Sequence, residues 1–196
     1  MVPGAGRNAH DYRDAWIGAS ERHGVLVLAP RYREEEYDFG GYHMGGLMHS
    51  MNLAQSVRRE AGSNRAYLDE DRLEYRVNRN PEQWIFQDFD RLFKRVAEAV
   101  GSQRERYDLF GHSAGGQMLH RLVLFQPDPH ACRILAGNAG FFTLPDTSTG
   151  LPFGMRGIPP SDEDLQDALG RQLVVFVGEE DNELKPPRAK RIRRSP

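Results

Sequence analysis

Cysteine is nearly absent from this chain of 196 residues: Cys132 stands alone, so no internal disulfide forms and the redox compartment stays open. No glycine-rich turn surrounds Cys132, which therefore reads as a small packing residue rather than a nucleophile. Long hydrophobic runs are also missing. No segment approaches the roughly 18 apolar residues of a membrane span, and no membrane partner is expected. The opening "MVPGAGRNAHDYRDAW" lacks the basic-then-apolar order of a signal peptide, so the chain as written reads as unprocessed, and as cytoplasmic if Met1 is the true start. There is no excess of charge of one sign: the net charge of −2 gives no field for nucleic acid, and no nucleic-acid partner is expected. Neither G-x-G-x-x-G nor G-x-x-x-x-G-K-[ST] occurs, which sets a nucleotide-binding protein behind the other readings. Internal repeats are absent.

What is present suits one globular domain. Charged residues make up 28% and apolar ones 39%, and the length allows one core rather than two. "NAHDYRDAWIGASERHG" carries Tyr12, Ala15, Trp16 and Ala19 at helical spacing and closes on Gly24 as a C-cap. "VLVLAP" (25–30) is a continuous apolar run ended by proline, which predicts a parallel strand buried on both faces. Residues 31–79 are charged and weakly patterned. The spacing then predicts a helix over 80–101. Asn80 caps it, Pro81 opens it, Gln83 sits at the capping-box position, and Phe86, Phe89, Phe93, Val96 and Val100 form its apolar stripe. Further on come a strand ("RYDLFG"), a helix ("AGGQMLHRLVLF"), a third strand ("RILAGNAGFF"), a Pro/Gly-rich loop (143–160), a short helix capped by Ser161, and a fourth strand ("QLVVFVGEED"). Strands alternating with helices imply an α/β fold with a parallel sheet, whose ligands bind at the carboxyl ends of the strands. Ser113, Asn138 and Asp181 all fall just after strand ends.

The segment "FGHSAGGQ" (110–117) carries the chemistry. A serine hydroxyl becomes a nucleophile only when a base takes its proton and its neighbours leave it accessible. A sharp strand-to-helix turn gives that access when the residues two before and two after lack side chains, and here they are Gly111 and Gly115. The helix that starts after Ser113 aims free N–H groups at the site, and the amide of Ala114 can serve as an oxyanion donor. A chance G-x-S-x-G is expected in about one such chain in twenty, and the flanking strand and helix make it rarer. Asp181, at the end of "LVVFVGEED", follows in the order nucleophile then acid and would orient a histidine. Among Glu179, Glu180 and Glu183 it also reads as a solvated loop acid, and both readings stand at this point.

With these residues in view, "GHSAGG", "GEED", "RNAHDYRDAW", "NAGFFTLPD" and "LPFGMRG" resemble the α/β-hydrolase superfamily. The likeness is to its bacterial esterase and polyhydroxyalkanoate-depolymerase-like branch, over about residues 4–182. The resemblance implies the α/β-hydrolase fold, a mostly parallel sheet with helices on both faces. It implies Ser113 as nucleophile, Asp181 as acid, Ala114 as one oxyanion donor and a second donor from the loop Gly4–Arg7. It also implies no cofactor, no metal, and a small-molecule or polymeric ester as substrate.

The family places its histidine after the acid, whereas the seven histidines here are 10, 23, 43, 49, 112, 120 and 130. On the turn His112 should point away from Ser113, and His120 belongs to a supporting helix face. His43 and His49 lie in "GGYHMGGLMHS", placed either to reach the site or to hold a metal, though without a carboxylate pattern beside them. Residues 183–196 carry six basic residues and read as a disordered tail after a partial hydrolase domain at 1–182. The strand that the family sets before its oxyanion loop is also missing, so that 25–30 and "RYDLFG" must pair directly or leave ladder bonds unmade. The expectation is therefore a truncated or frame-shifted hydrolase. Two functions follow: a serine hydrolase working through an acyl-enzyme at Ser113, and an inactive binding protein on the same fold.

Overall fold

Three apolar runs separated by helical ones build the central sheet. A computed structural model describes residues 1–59, 61, 65–127, 129–179 and 191–194. Helices α1 (Ala9–Asp14), α2 (Ile17–His23) and α3 (Phe39–His43) lead into β1 (Met48–Met51), α4 (Leu53–Ser56), β2 (Val57–Arg59), β3 (Arg65–Leu68) and β4 (Tyr75–Val77). There follow α5 (Phe86–Ala99), β5 (Tyr107–His112), α6 (Ala114–Phe125), β6 (Ala131–Gly137), α7 (Asp162–Leu169), β7 (Leu173–Phe176) and β8 (Arg191–Arg194). Strands β5, β6 and β7 lie side by side and parallel, with Phe110, Leu135 and Val174 in register. This is the α/β arrangement expected of strands joined through helices. Two small sheets flank it: β1 with β4 antiparallel, and β2–β3–β8, in which β8 runs parallel to β3.

The core lies between the sheet and α5, α6 and α3. Met118, Leu119 and Leu122 of α6 are fully buried, together with Tyr42, Met44, Leu47 and Phe86. At about 25 cal/mol per Å² of apolar area removed from water, each such side chain contributes roughly 1.5–3 kcal/mol. Gly24 and Gly101 end α2 and α5 with φ of 60° and 63°, conformations that a side chain would disfavour. Ser161 caps α7 through Oγ, which accepts from the Asp164 amide at 3.1 Å.

Three expectations are corrected. Residues 25–30 are not a strand, and Val25 and Leu26 are 49% and 65% exposed. The place beside β5 is held instead by the first residues of the chain. The Val2 amide donates to Phe110 O at 2.7 Å, the His112 amide donates to Val2 O at 3.2 Å, and the Met1 amine reaches Leu28 O at 2.8 Å. Val2 is fully buried, and β5 therefore has a partner on that side without pairing to 25–30.

The single helix over 80–101 is broken. Pro81–Gln83 form a 3₁₀ turn under Asn80, Trp84 is extended, and α5 starts only at Phe86. Tertiary bonds account for the break: Trp84 Nε1 donates to Asn78 O at 2.9 Å and the Ile85 amide donates to Gly45 O at 2.9 Å. Cys132, finally, is exposed on β6 rather than packed. On β7 the neighbours Val174 and Val175 point to opposite faces and are 50% and 46% exposed, and no described strand lies beyond it.

A buried polar network joins α6 to its surroundings. Arg121 is fully buried. Its Nε donates to Thr143 Oγ1 (2.8 Å), its Nη1 to His43 O (2.9 Å) and Gln117 O (3.0 Å), and its guanidinium lies 4.8 Å from the Phe141 ring centre. No carboxylate pairs with it among the described residues, and burial brings its pKa down to about 9. His120 accepts the Thr143 amide at Nε2 (2.8 Å), so Nδ1 carries the proton that meets Gly116 O at 3.2 Å. His43 donates from Nδ1 to Phe39 O (2.7 Å) and stacks on Phe39. Burial pushes the His120 imidazole well below its ordinary pKa, and takes His43 from 6.5 to about 4.

Two outcomes are expected. A Cβ on Gly115 would lie 2.2 Å from Val2 O and 2.8 Å from Pro3 O, both backbone atoms. Gly115→Ala should therefore cost about 3 kcal/mol or more in a urea or thermal melt. An unchanged midpoint would show that residues 1–3 are not seated there. The second outcome concerns acid. The unfolded chain protonates His43 near 6.5 and the folded one only near 4, so the contribution of His43 to stability is constant above 6.5 and falls as pH drops through that window. The loss from His43 alone is on the order of 3 kcal/mol, and His43→Gln should flatten the pH dependence of the urea midpoint.

Candidate active site

At the carboxyl end of β5 the chain reverses sharply into α6, and Ser113 is the residue at the turn. Its φ of 54° and ψ of −112° are costly for a residue with a side chain, on the order of 1–3 kcal/mol. Neighbouring bonds fix it there. The Ser113 amide donates to Gly137 O on β6 at 2.8 Å, and Ser113 O accepts from the Gln117 amide at 2.9 Å. The turn closes because Gly111 and Gly115 are bare: a Cβ on Gly111 would lie 2.4 Å from Gly115 O. Gly116 is equally confined, since a Cβ there would stand 2.8 Å from Gly137 O. Ser113 Oγ has no hydrogen-bond partner among the described residues, and the Ala114 amide opens α6 without an acceptor.

The loop Gly4–Arg7 lies against this turn. A methyl on Gly4 would be 3.5 Å from Ser113 Cβ and 3.1 Å from the Tyr12 hydroxyl. The loop folds on itself through the Arg7 amide to Gly4 O at 3.0 Å, with Arg7 at a φ of 50°. The Arg7 side chain is buried. It donates to Tyr37 O and, at 3.1 Å, to Asp38 O, while its guanidinium sits 4.7 Å from the Tyr42 ring centre. Tyr42 in turn donates from its hydroxyl to Pro3 O at 2.8 Å, and burial pushes its pKa up. The amides of Ala5 and Gly6 have no acceptor among the described residues. Loop and turn together thus carry backbone amides without acceptors among the described residues.

The histidines fall in different places. His112 hydrogen-bonds the Tyr12 hydroxyl through Nδ1 at 2.6 Å. His120 and His43 belong to the buried network, and His49 is exposed on β1. No histidine is hydrogen-bonded to Ser113 among the described residues, and no group of three or more His, Cys, Asp or Glu with metal-ligand geometry occurs among them. Asp181 lies outside the described residues. The end of β7 is anchored by Asn138, with φ of 48°, whose Oδ1 accepts from the Gly178 amide at 2.7 Å and whose amide donates to Phe176 O at 2.9 Å. Sequence reasoning missed the roles of Arg7, Tyr12 and Arg121. Only Arg121 left a signal: a charged residue inside the apolar helical run "MLHRLVLF".

No family model matches the chain, and no curated protein matches it. Solved structures do. Poly(aspartic acid) hydrolase-1 from Sphingomonas sp. KT-1 superposes with a TM-score of 0.75 and 31% identity, over 95% of this chain and 64% of that one. LpqC, the poly(3-hydroxybutyrate) depolymerase from Bordetella parapertussis, superposes with a TM-score of 0.73 and 28% identity, over 95% and 57%. The chain thus spans about three fifths of the length of these proteins. It is similar, in fold and in sequence, to bacterial depolymerase-like hydrolases, the group its "GHSAGG" segment resembles.

Proposed function

We propose that the chain is a serine hydrolase of ester-type substrates, small or polymeric, with Ser113 as nucleophile. The observation that carries this reading is the backbone at Ser113. A strained serine stands at the carboxyl end of a parallel strand, between glycines that no side chain could replace, in a chain similar to two polymer hydrolases. Strain of this kind persists only where the surroundings hold it, and it presents Oγ free of neighbours. The full α/β-hydrolase fold belongs to the same proposal, and its parallel part is the β5–β6–β7 sheet.

In this reading Ser113 Oγ attacks the ester carbonyl carbon while its proton passes to a base. The new C–O bond forms as the carbonyl π pair moves to oxygen, and that oxyanion takes the Ala114 amide and one amide of the loop Gly4–Arg7. Collapse expels the alcohol, which takes up the proton, and leaves an acyl-Ser113 ester. Water then attacks this ester in the same geometry and releases the acid. Asp181 is the proposed acid that would orient the base. No histidine of the sequence follows it, and His43 and His120 are already bonded and held neutral in the core. Because no histidine is hydrogen-bonded to Ser113 among the described residues, a second reading stands beside the first, a binding protein on the same fold without turnover.

A fluorophosphonate probe separates the two. Slow labelling of Ser113, lost in Ser113→Ala, is expected, with p-nitrophenyl butyrate hydrolysed about 10²–10⁴-fold more slowly than a base-assisted serine would manage. A label that survives Ser113→Ala removes Ser113 from the role. A correctly folded chain that takes no label at all favours the binding reading.

A further inference from the structure

The amino ends of β5 and β6 carry a second arrangement of polar groups, about 20 Å along the strands from Ser113. Asp90 of α5 is its centre. Its Oδ1 accepts from the Tyr107 hydroxyl at 2.6 Å and from the His130 amide at 3.2 Å, and its Oδ2 meets His130 Nδ1 at 3.2 Å. The Asp90 side chain is only 14% exposed while His130 is 41% exposed. The carboxylate thus fixes the imidazole with Nδ1 occupied, and Nε2 is left without a partner among the described residues.

His130 lines a cleft of about 500 Å³. Phe93 and Ala97, one turn apart on the face of α5 that also bears Asp90, form its apolar floor with buried Pro129. Tyr107 backs Phe93 at a ring separation of 4.9 Å. Lys94, Arg104 and Arg106 complete the wall with Glu105, and the Asp90 carboxylate stands behind His130, so that among the described residues three cations face two carboxylates. None of these three cations is within ion-pair distance of a carboxylate among the described residues, although Arg104 is near enough to Asp108 to help hold its carboxyl below the usual range and the chain as a whole has a net charge of −2. Tying α5 to the sheet explains Asp90, Tyr107 and the Nδ1 bond. It does not explain three cations without close ion pairs lining the same cleft as a free imidazole nitrogen and an aromatic floor.

We infer that this cleft binds a small phosphate monoester, with the dianion between Lys94, Arg104, Arg106 and His130 Nε2 and the organic group on Phe93. A dianion answers the excess of positive charge better than a carboxylate does, and guanidinium forks match phosphate oxygens in pairs. The site is independent of the serine chemistry, because it lies at the opposite end of the strands.

Calorimetric titration of the whole chain with phenyl phosphate tests it, with inorganic phosphate and benzoate as comparators and the His130 ring signals followed by NMR. Phenyl phosphate should bind at least about tenfold more tightly than either comparator and should shift the His130 ring resonances. Arg104→Ala combined with Arg106→Ala should weaken it at least about tenfold, without changing the far-UV spectrum or the melting temperature. Phe93→Leu should erode the preference over inorganic phosphate. Equal affinity for phenyl phosphate and inorganic phosphate, an unchanged affinity in the double variant, or silent His130 signals would each overturn the assignment. So would no heat of binding at millimolar ligand.

Discussion

Two backbone oxygens set the terms for the whole carboxyl edge of the sheet. Gly115 O crowds the place where a side chain on residue 111 would stand, and Val2 O crowds the same place on residue 115. The first turn of α6 can rest on β5 and on residues 2–3 only if it is bare on that side. Everything near Ser113 follows from this contact: the reversed backbone of the serine, the amide of Ala114 at the open end of α6, and the loop Gly4–Arg7 laid over the turn. The glycines act less by freeing the chain than by letting three backbone segments meet without side chains between them.

The second constraint sits two turns further along α6. Arg121 is a cation buried without a counter-charge among the described residues, a costly arrangement that survives because carbonyls, a hydroxyl and an aromatic face surround it. It gathers α3 through His43 O and the 143–160 loop through Thr143, while His120 holds the Thr143 amide beside it. The helix that begins at Ser113 is thereby fixed at both its start and its middle. Precision at the serine is a property of this network as much as of the turn itself.

Much of this was legible in the residues. Strand, serine turn and helix over 107–125 followed from an apolar run, bare neighbours and a buried helical stripe, because the pattern that specifies them lies in consecutive residues. Ser161, Gly24 and Gly101 marked helix ends for the same reason. The misreadings came where distant segments compete. "VLVLAP" has the composition of a central strand, but Val2 takes the edge of β5. The pattern from Pro81 onward is helical, but Trp84 and Ile85 bond to Asn78 and Gly45 and break it. Arg7 and Tyr12 acquire their roles only through residues 30 and 100 positions away, which no local pattern records. Asp181, the acid that the sequence singled out, lies beyond the residues described.

The exposure of β7 has a consequence for the life of the chain outside any active site. From Leu173 to Gly178 the sequence offers no charge, no proline and no bulge, the usual devices that keep one strand edge from joining another. Its side chains are half open on both faces, and its far edge meets no described strand. A short β-branched and aromatic segment in that condition is a template for pairing with its own kind, and such pairing grows with concentration rather than with heat. Among the described residues nothing blunts that edge, so β7 is the strand of this sheet best suited to receive another strand.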